Sequence, residues 1–562
     1  MDPAALNKLI ESRVKDLAAR PRPSNLDELR DRAHVDRLVL EKALGLYPPP
    51  PRTALNSSVT GVLSFEGYRL EKLRYESRPD VLVTAHLYLP EGAGPFPLVL
   101  SPHGHWVEKK ATRWVQARAI SLALYGFATL VIDSPGYSWE NCDNEREGMG
   151  THDDPFLAMG APVTGQYVWD VSRGLDYCLT RPEVDGKRVG ITGESGGGTT
   201  TIYAFAYDER IAAAVPVVAA SSMETQPHNG CFCNHLPGIM NLGDRSDVLS
   251  LRAPAPVLII GASDDPEFPP NAMSRTHAKL RETYSLFKAE EEARLEIVFG
   301  PHDYNRRMRE AMLAFFLEKL KGEPRRPHVP ELRPLVDGGS NPAPAGTLDA
   351  HDPALTVLPR EARQTKTFRE ILRKSLDEPH PARIDAEGRL VPWAKYGRIE
   401  DLQPGNVLRL HDPGQQATAD SIELPVGKLD LRSLIYLGLS VPEFLAQVLH
   451  YRMPGRPEGW EKRGLESGDA LTAMIASVKT LVDRAAPEEA PERVLARGPV
   501  ASMTAWFLRL LRPEILVEAS DAPTAWQDIL ERGHRDLIQP GARYLAWPVA
   551  TAVAETATGD AI

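Results

Sequence analysis

Apolar positions in this chain recur in short runs that alternate with longer stretches of helical spacing. "YRLEKLRYE" (68–76) and "VLVTAHLYLP" (81–90) read as strands, the second with period-2 alternation. "PLVLSPHG" (97–104) and "ATLVIDSPG" (128–136) read as buried strands, with a helix between them over 112–125. A helix over 167–181 ("YVWDVSRGLDYCLTR") leads into the short apolar run "RVGIT", and another helix follows at once. "AAAVPVVA", "APVLIIG" (255–261) and "LEIVFG" (295–300) continue the strands, and "RRMREAMLAFFLEKLKG" (306–322) closes the series with an amphipathic helix. Strands that alternate with helices predict a mostly parallel sheet covered on both faces, an α/β fold whose site lies at the carboxyl ends of the strands.

The flanks differ. Residues 1–46 carry the pattern of two helices, the first with Leu6, Leu9, Ile10, Val14 and Leu17 on one face, and "YPPPPRT" (47–53) breaks it. From 323 to 365 the chain is rich in Pro, Gly and Asp, the composition of an interdomain linker. Beyond it, "RSLIYLGLS" (432–440) and "EILVEAS" (514–520) resume the strand pattern. There "ERVLARGPVASMTAWFLRLL" (492–511) lies without a gap on "KRVGITGESGGGTTTIYAFA" (187–206), pairing Gly498 with Gly193 and Val500 with Ser195. The predicted organisation is a helical extension (1–52), an α/β domain (53–322), a linker (323–365) and a second, degenerate α/β domain without the serine (366–562).

Composition narrows the class of protein. With 42% hydrophobic and 25% charged residues the chain is that of an ordinary globular protein. A net charge of −11 argues against nucleic acid or an anionic membrane as partner, since both demand a basic face. The longest apolar run, 211–220, is about half a membrane span. The first twenty residues lack the apolar core of a secretory signal, so the location expected is cytoplasmic, or exported if a native signal has been removed. Four cysteines cannot staple a chain this long. Cys231 and Cys233 form C-x-C beside His235, and His103 and His105 form H-x-H, but neither has the ligand set of a metal site. No metal and no cofactor is expected.

"RVGITGESGGGTTTIYAF" (188–205) carries the chemistry. It has the glycine spacing of a phosphate loop, but Thr199 stands where the lysine would. Gly193-Glu194-Ser195-Gly196-Gly197 is instead a G-x-S-x-G nucleophile elbow, set after a strand and at the start of a helix. The turn holds the serine in a strained conformation and leaves no room for side chains two residues away. A serine needs a base, and the partners follow in the order Ser…Asp…His. "ASDDPEFPP" places Asp264 and Asp265 just past one strand, and "PHDYN" places His302 past the last. G-x-x-D counted from Gly261 selects Asp264. D-P-x-F-P selects Asp265, which is preferred because the turn that follows directs its carboxylate. His302 would take the Ser195 proton and return it to the leaving group, and the aspartate would orient the imidazole. The oxyanion donors expected are the Gly196 amide and that of His105 or Trp106 in the loop "HGHW".

These stretches resemble the α/β-hydrolase superfamily and, within it, the acetyl xylan esterase-like carbohydrate esterases. The resemblance rests on "LGLYPPPPRTALN", "PLVLSPHGH", "RPEVDGKRVGITGESGGG", "CNHLPGIMN", "APAPVLIIGASDDPEFP" and "GPHDYNRRMREAM", and covers residues 40 to 322. It implies a serine carboxylesterase working through an acyl-enzyme without a cofactor, with Ser195, Asp265 and His302 as triad and Gly196 and His105 as oxyanion donors. It further implies a short acyl or methyl ester of a carbohydrate or other small molecule as substrate. A serine peptidase or lactonase of the same fold, and a binding protein that keeps the fold without the chemistry, stand as alternatives. The wall of the pocket is expected from 219–250, Trp106 and Trp139.

Overall fold

The computed structural model describes residues 19–133, 163–223 and 242–333 (48 and 107 apart), positions 234, 236 and 239, residues 347–358, and four short strands beyond 400. The chain divides into two compact units. One comprises residues 14–152 and 162–371, the other 1–13, 153–161 and 372–562. The predicted helix over the first eighteen residues, Trp139, Cys231, Cys233, His235, the strand at 432–440 and Val500 lie outside the described residues.

Among the described residues, the larger unit has nine strands: β1 (Ser58–Phe65), β2 (Tyr68–Arg78), β3 (Val81–Pro90), β4 (Phe96–Pro102), β5 (Ala128–Ile132), β6 (Val184–Glu194), β7 (Ala213–Val217), β8 (Val257–Ala262) and β9 (Ala293–Val298). They form one sheet in the order β1-β2-β3-β5-β4-β6-β7-β8-β9. The first pairs are antiparallel as far as β3 with β5; from β5 onwards every pair is parallel. The parallel strands β5, β7 and β8 are buried along their whole length, which is why they read as unbroken apolar runs.

Among the described residues, seven α-helices accompany the sheet: α1 (Leu26–Ala43), α2 (Arg113–Leu124), α3 (Val163–Cys178), α4 (Gly196–Tyr207), α5 (Arg245–Ser250), α6 (Pro270–Ser285) and α7 (Arg306–Lys321). α2 and α7 touch each other across one face. There Leu122 joins Val99, Val215, Leu258 and Ile260 of the strands and Met308, Met312 and Phe316 of α7 in one apolar cluster. α7 is delimited locally: the Asn305 side chain accepts from the Met308 amide at its start, and Gly322 closes it with φ of 71°.

Three elements go beyond the pattern read from sequence, the short helix α5 among them. β1 is a half-exposed edge strand whose "SVTGVLSF" buries little, and α6 turns Thr276 and Thr283 inward beside Met273, Leu280 and Tyr284. Threonine in the buried stripe hides a helix from a search for apolar spacing. The strand at 128 ends at Ile132, before Asp133.

Two segments beyond α7 also pack on this unit. Arg309 of α7 makes a buried two-pronged pair with Glu331, at 2.7 and 3.0 Å. Further on, Leu355 is 3% exposed, and its carbonyl meets His86 Nε2 at 2.8 Å. In the other unit, β10 (Val407–His411), β11 (Ser421–Glu423), β12 (Arg493–Arg497) and β13 (Leu516–Ala519) form a parallel sheet in the order β11-β10-β12-β13.

Candidate active site

β6 lies in the middle of the sheet, between β4 and β7, and runs straight into α4 with one residue between them, Ser195. That residue has φ 55° and ψ −121°, a left-handed conformation that a side chain adopts only under constraint. The constraint is visible. The Ser195 amide donates to Val217 O of β7 at 3.1 Å, and its carbonyl accepts the Thr199 amide at 2.9 Å. The glycines around it are there for want of space. A Cβ on Gly193 would fall 2.4 Å from Pro102 O, and one on Gly197 would fall 2.5 Å from the same oxygen and 2.7 Å from the backbone of His103. The loop after β4 is therefore pressed against the elbow, backbone to backbone.

That loop brings His105 to Gly196, whose missing Cβ would sit 2.7 Å from His105 Nε2. Gly196 opens α4, so its amide belongs to the first turn, which has no acceptor within the helix. Of the two amides considered in "HGHW", that of Trp106 is donated to Gly104 O at 2.9 Å. His103 does not face His105: its Nδ1 lies 2.7 Å from Gly104 O, and its Nε2 is 3.5 Å from Asp133. Burial works against the Asp133 charge, but Lys110, His103 and Lys109 outweigh it and hold this carboxyl well below the usual range.

Asp265 and Asp264 have different surroundings. Asp265 Oδ2 accepts from His302 Nδ1 at 2.7 Å, while its Oδ1 accepts the amides of Glu267 and Phe268 at 2.9 and 3.0 Å. Asp264 is exposed, and its amide is tied to Gly300 O. The turn "DPEF" thus aims the second carboxylate, its Oδ1 held by the turn's own amides. A carboxylate in its charged form only accepts, so opposite it His302 would carry its hydrogen on Nδ1 and leave Nε2 as the acceptor. Phe268 stacks on the imidazole at 5.6 Å and 16°, fixing the plane of the ring. Burial disfavours the cation of His302, but the hydrogen bond and charge of Asp265, with Glu267 and Glu194 behind it, prevail and raise its pKa above the ordinary value.

A second layer lies directly beneath the elbow. Glu194 and Arg118 are fully buried and paired through Glu194 Oε2. The other oxygen accepts the Trp106 indole N–H at 2.7 Å. Arg118 also donates to Ser101 Oγ at 3.0 Å and lies 4.8 Å from the centre of the Tyr304 ring. The Tyr304 hydroxyl, two residues past His302, meets Thr192 Oγ1 of β6 at 2.8 Å. Sequence reasoning did not reach Arg118, Tyr304 or Phe268. One signal was present: an arginine in the apolar stretch of α2 must find a buried partner.

Fold and site together define an α/β hydrolase. Residues 55–222 match the acetyl xylan esterase family, and residues 146–323 match the prolyl oligopeptidase family. Among curated proteins, the chain is 24% identical over 211 residues to YtaP of Bacillus subtilis (strain 168), covering 34% of this chain and 68% of that one. It is 27% identical over 160 residues to acetyl esterase Axe7A of Xylanibacter ruminicola, covering 27% of this chain and 35% of the relative, so it spans about a third of that protein's length. Among solved structures, methylesterase BT1017 superposes with a TM-score of 0.45 at 22% identity, covering 57% of this chain and 72% of its own. A glucuronoyl esterase from Solibacter usitatus superposes with a TM-score of 0.44 at 18% identity, covering 53% and 94%. Over residues 55–222 the chain is thus similar to the acetyl xylan esterases, and over 160 residues to an acetyl esterase. Among the described residues no helix is long and apolar enough to cross a membrane.

Proposed function

We propose that the protein hydrolyses short acyl or methyl esters of carbohydrates or other small molecules through an acyl-enzyme on Ser195. Ser195 Oγ attacks the ester carbonyl carbon while His302 Nε2 takes its proton. The Gly196 and His105 amides donate to the oxyanion that forms. The carbon–oxygen bond to the alcohol then breaks, and His302 returns the proton to the departing oxygen. In the second half a water gives its proton to His302 and attacks the acyl carbonyl; the bond from that carbon to Ser195 Oγ breaks, His302 returns the proton to Oγ, and the acid leaves. Asp265 holds the imidazole in the required tautomer and stabilises its cation. The reading is carried by one observation, the 2.7 Å bond from His302 Nδ1 to Asp265 Oδ2. The Thr192–Tyr304 bond supports it by tying the loop of His302 to the strand that leads into Ser195.

The acetyl xylan esterase match over 55–222 favours acetate as the acyl group. We place the chemistry in residues 53–322, preceded by a helical extension and followed by the linker, and assign 366–562 to a degenerate copy with Val500 in place of the nucleophile. The prolyl oligopeptidase match over 146–323 favours a second reading, amide hydrolysis by the same residues.

A fluorophosphonate probe should label the native protein and not Ser195→Ala, and Ser195→Ala should lose p-nitrophenyl acetate hydrolysis. A panel of acetylated sugars, uronate methyl esters and a peptide p-nitroanilide then separates the substrate classes. An unlabelled native protein, or a Ser195→Ala variant that keeps its activity, ends the reading.

A further inference from the structure

We infer that Glu194, the residue before the proposed nucleophile, is a positioning residue that fixes Trp106, and through it the oxyanion loop, against the elbow. The inference rests on the acyl-enzyme reading above and adds to it a residue with no step of its own in the chemistry.

Geometry carries the argument. Glu194 ends β6, and its two oxygens serve two different elements: Oε2 takes Arg118 of α2, and Oε1 takes the Trp106 indole at 2.7 Å. Trp106 is thereby held at both ends, by its indole N–H on Glu194 and by its amide on Gly104 O at 2.9 Å. Its ring stands edge-on to Trp114 at 5.1 Å and 88°. His105 lies between Gly104 and Trp106, so the segment offering its amide to the oxyanion has its following residue clamped to the residue before the nucleophile. Arg118 completes the frame. It reaches Ser101 Oγ at 3.0 Å and Pro102 O at 3.4 Å, the last residues of β4, and lies over Tyr304 in the loop of His302.

An ion pair taken wholly out of water is a poor source of stability, since desolvating both charges offsets most of their attraction; a well-packed apolar pair would hold the core as well. What the charges add here is direction. A carboxylate locked by a guanidinium on one oxygen offers the other at a set position, and a charge-assisted bond to it is short and angular. Glu194 also acts on His302 through space, alongside Asp265 and Glu267, favouring its cation.

The test is a double-mutant cycle between Glu194→Gln and Trp106→Phe, read as kcat and KM separately on p-nitrophenyl acetate at temperatures well below each variant's Tm. Each single variant should lower kcat about ten- to a hundredfold with KM nearly unchanged, the range set by a hydrogen bond to a charged group. The double variant should be no worse than the poorer single one, because one variant takes the charge from the Glu194–Trp106 bond and the other its donor, so both act on the same contact. Glu194→Gln should also shift the acid limb of kcat/KM to lower pH, which a loss of stability alone would not do. A folded Glu194→Gln or Trp106→Phe with wild-type kcat overturns the proposal, and so do effects that multiply. Should Glu194→Gln fail to fold, Trp106→Phe decides alone, its ring being partly exposed and its lost N–H the bond in question. A wild-type protein inert towards esters, or an active Ser195→Ala, would refute the acyl-enzyme reading. Unimpaired Glu194→Gln in an enzyme dependent on Ser195 refutes only this inference.

Discussion

Replacing Gly197 by alanine places a methyl group 2.5 Å from Pro102 O and 2.7 and 2.8 Å from the carbonyl carbon and oxygen of His103. All three atoms are backbone, so no side chain can swing aside. Ordinary contact for such a carbon begins at 3.4 Å, which leaves the loop after β4 and the start of α4 about 0.9 Å too close. The elbow is held by β6, β7 and α4, whereas residues 103–106 belong to no strand or helix, and this loop is the part expected to move. Overpacking of this kind costs about 1–3 kcal/mol, which lowers Tm by roughly 2–10 °C for a domain of this size. The effect on rate should be larger in proportion. A shift near 1 Å displaces the His105 amide from the oxyanion, and losing one such donor costs about a hundredfold or more in kcat. Gly61→Ala is the matched control, because its Cβ meets only the far end of the Lys72 side chain, at 2.6 Å, which can swing away. Thermal unfolding and p-nitrophenyl acetate kinetics on both variants decide the matter. A Gly197→Ala protein with wild-type kcat and Tm would show that the tight packing of loop on elbow has no consequence, and the account of the G-x-S-x-G glycines would fall with it.

The two aspartates should separate cleanly. Asp265→Asn is expected to lose about 10⁴-fold in kcat/KM, whereas Asp264→Asn, exposed and bonded only through its amide, should stay within about twofold of wild type; equal losses in steady-state assays would refute the assignment. The pH dependence has a definite sign. His302 must be neutral to accept the Ser195 proton, and its pKa lies above the ordinary 6.5, so kcat/KM should rise with pH through a midpoint above 6.5. Glu267→Gln removes one of the charges that favour the cation and should move that midpoint down, less so in high salt because Glu267 is exposed. A midpoint at or below 6.5, or one indifferent to Glu267→Gln, would contradict the electrostatics described here.

Much of the fold was legible because it is dictated locally. "ATLVI", "AAVPV" and "VLIIGA" are apolar without interruption because parallel strands are covered on both faces, and nothing but a buried strand suits runs of that length between turn residues. The elbow was legible for a similar reason: a strained serine with no room for side chains around it leaves glycines at fixed offsets. β1 and α6 were harder to read, since an edge strand buries too little for its alternation to stand out and α6 fills its inner stripe partly with threonine.

The sequence by itself determined the series of strands and helices, the placement of a serine between β6 and α4, and the chain order of Ser195, Asp265 and His302. Each follows from backbone and periodicity within a dozen residues. Only the tertiary structure decided which of two adjacent carboxylates meets the imidazole, because that depends on Asp265 capping the amides of its own turn while β9 brings His302 alongside. It alone joined Glu194 to Arg118, 76 positions apart in the chain. A buried charge advertises that it needs a partner, but which partner it meets is set by the packing of α2 on the sheet, and no spacing along the chain encodes that distance.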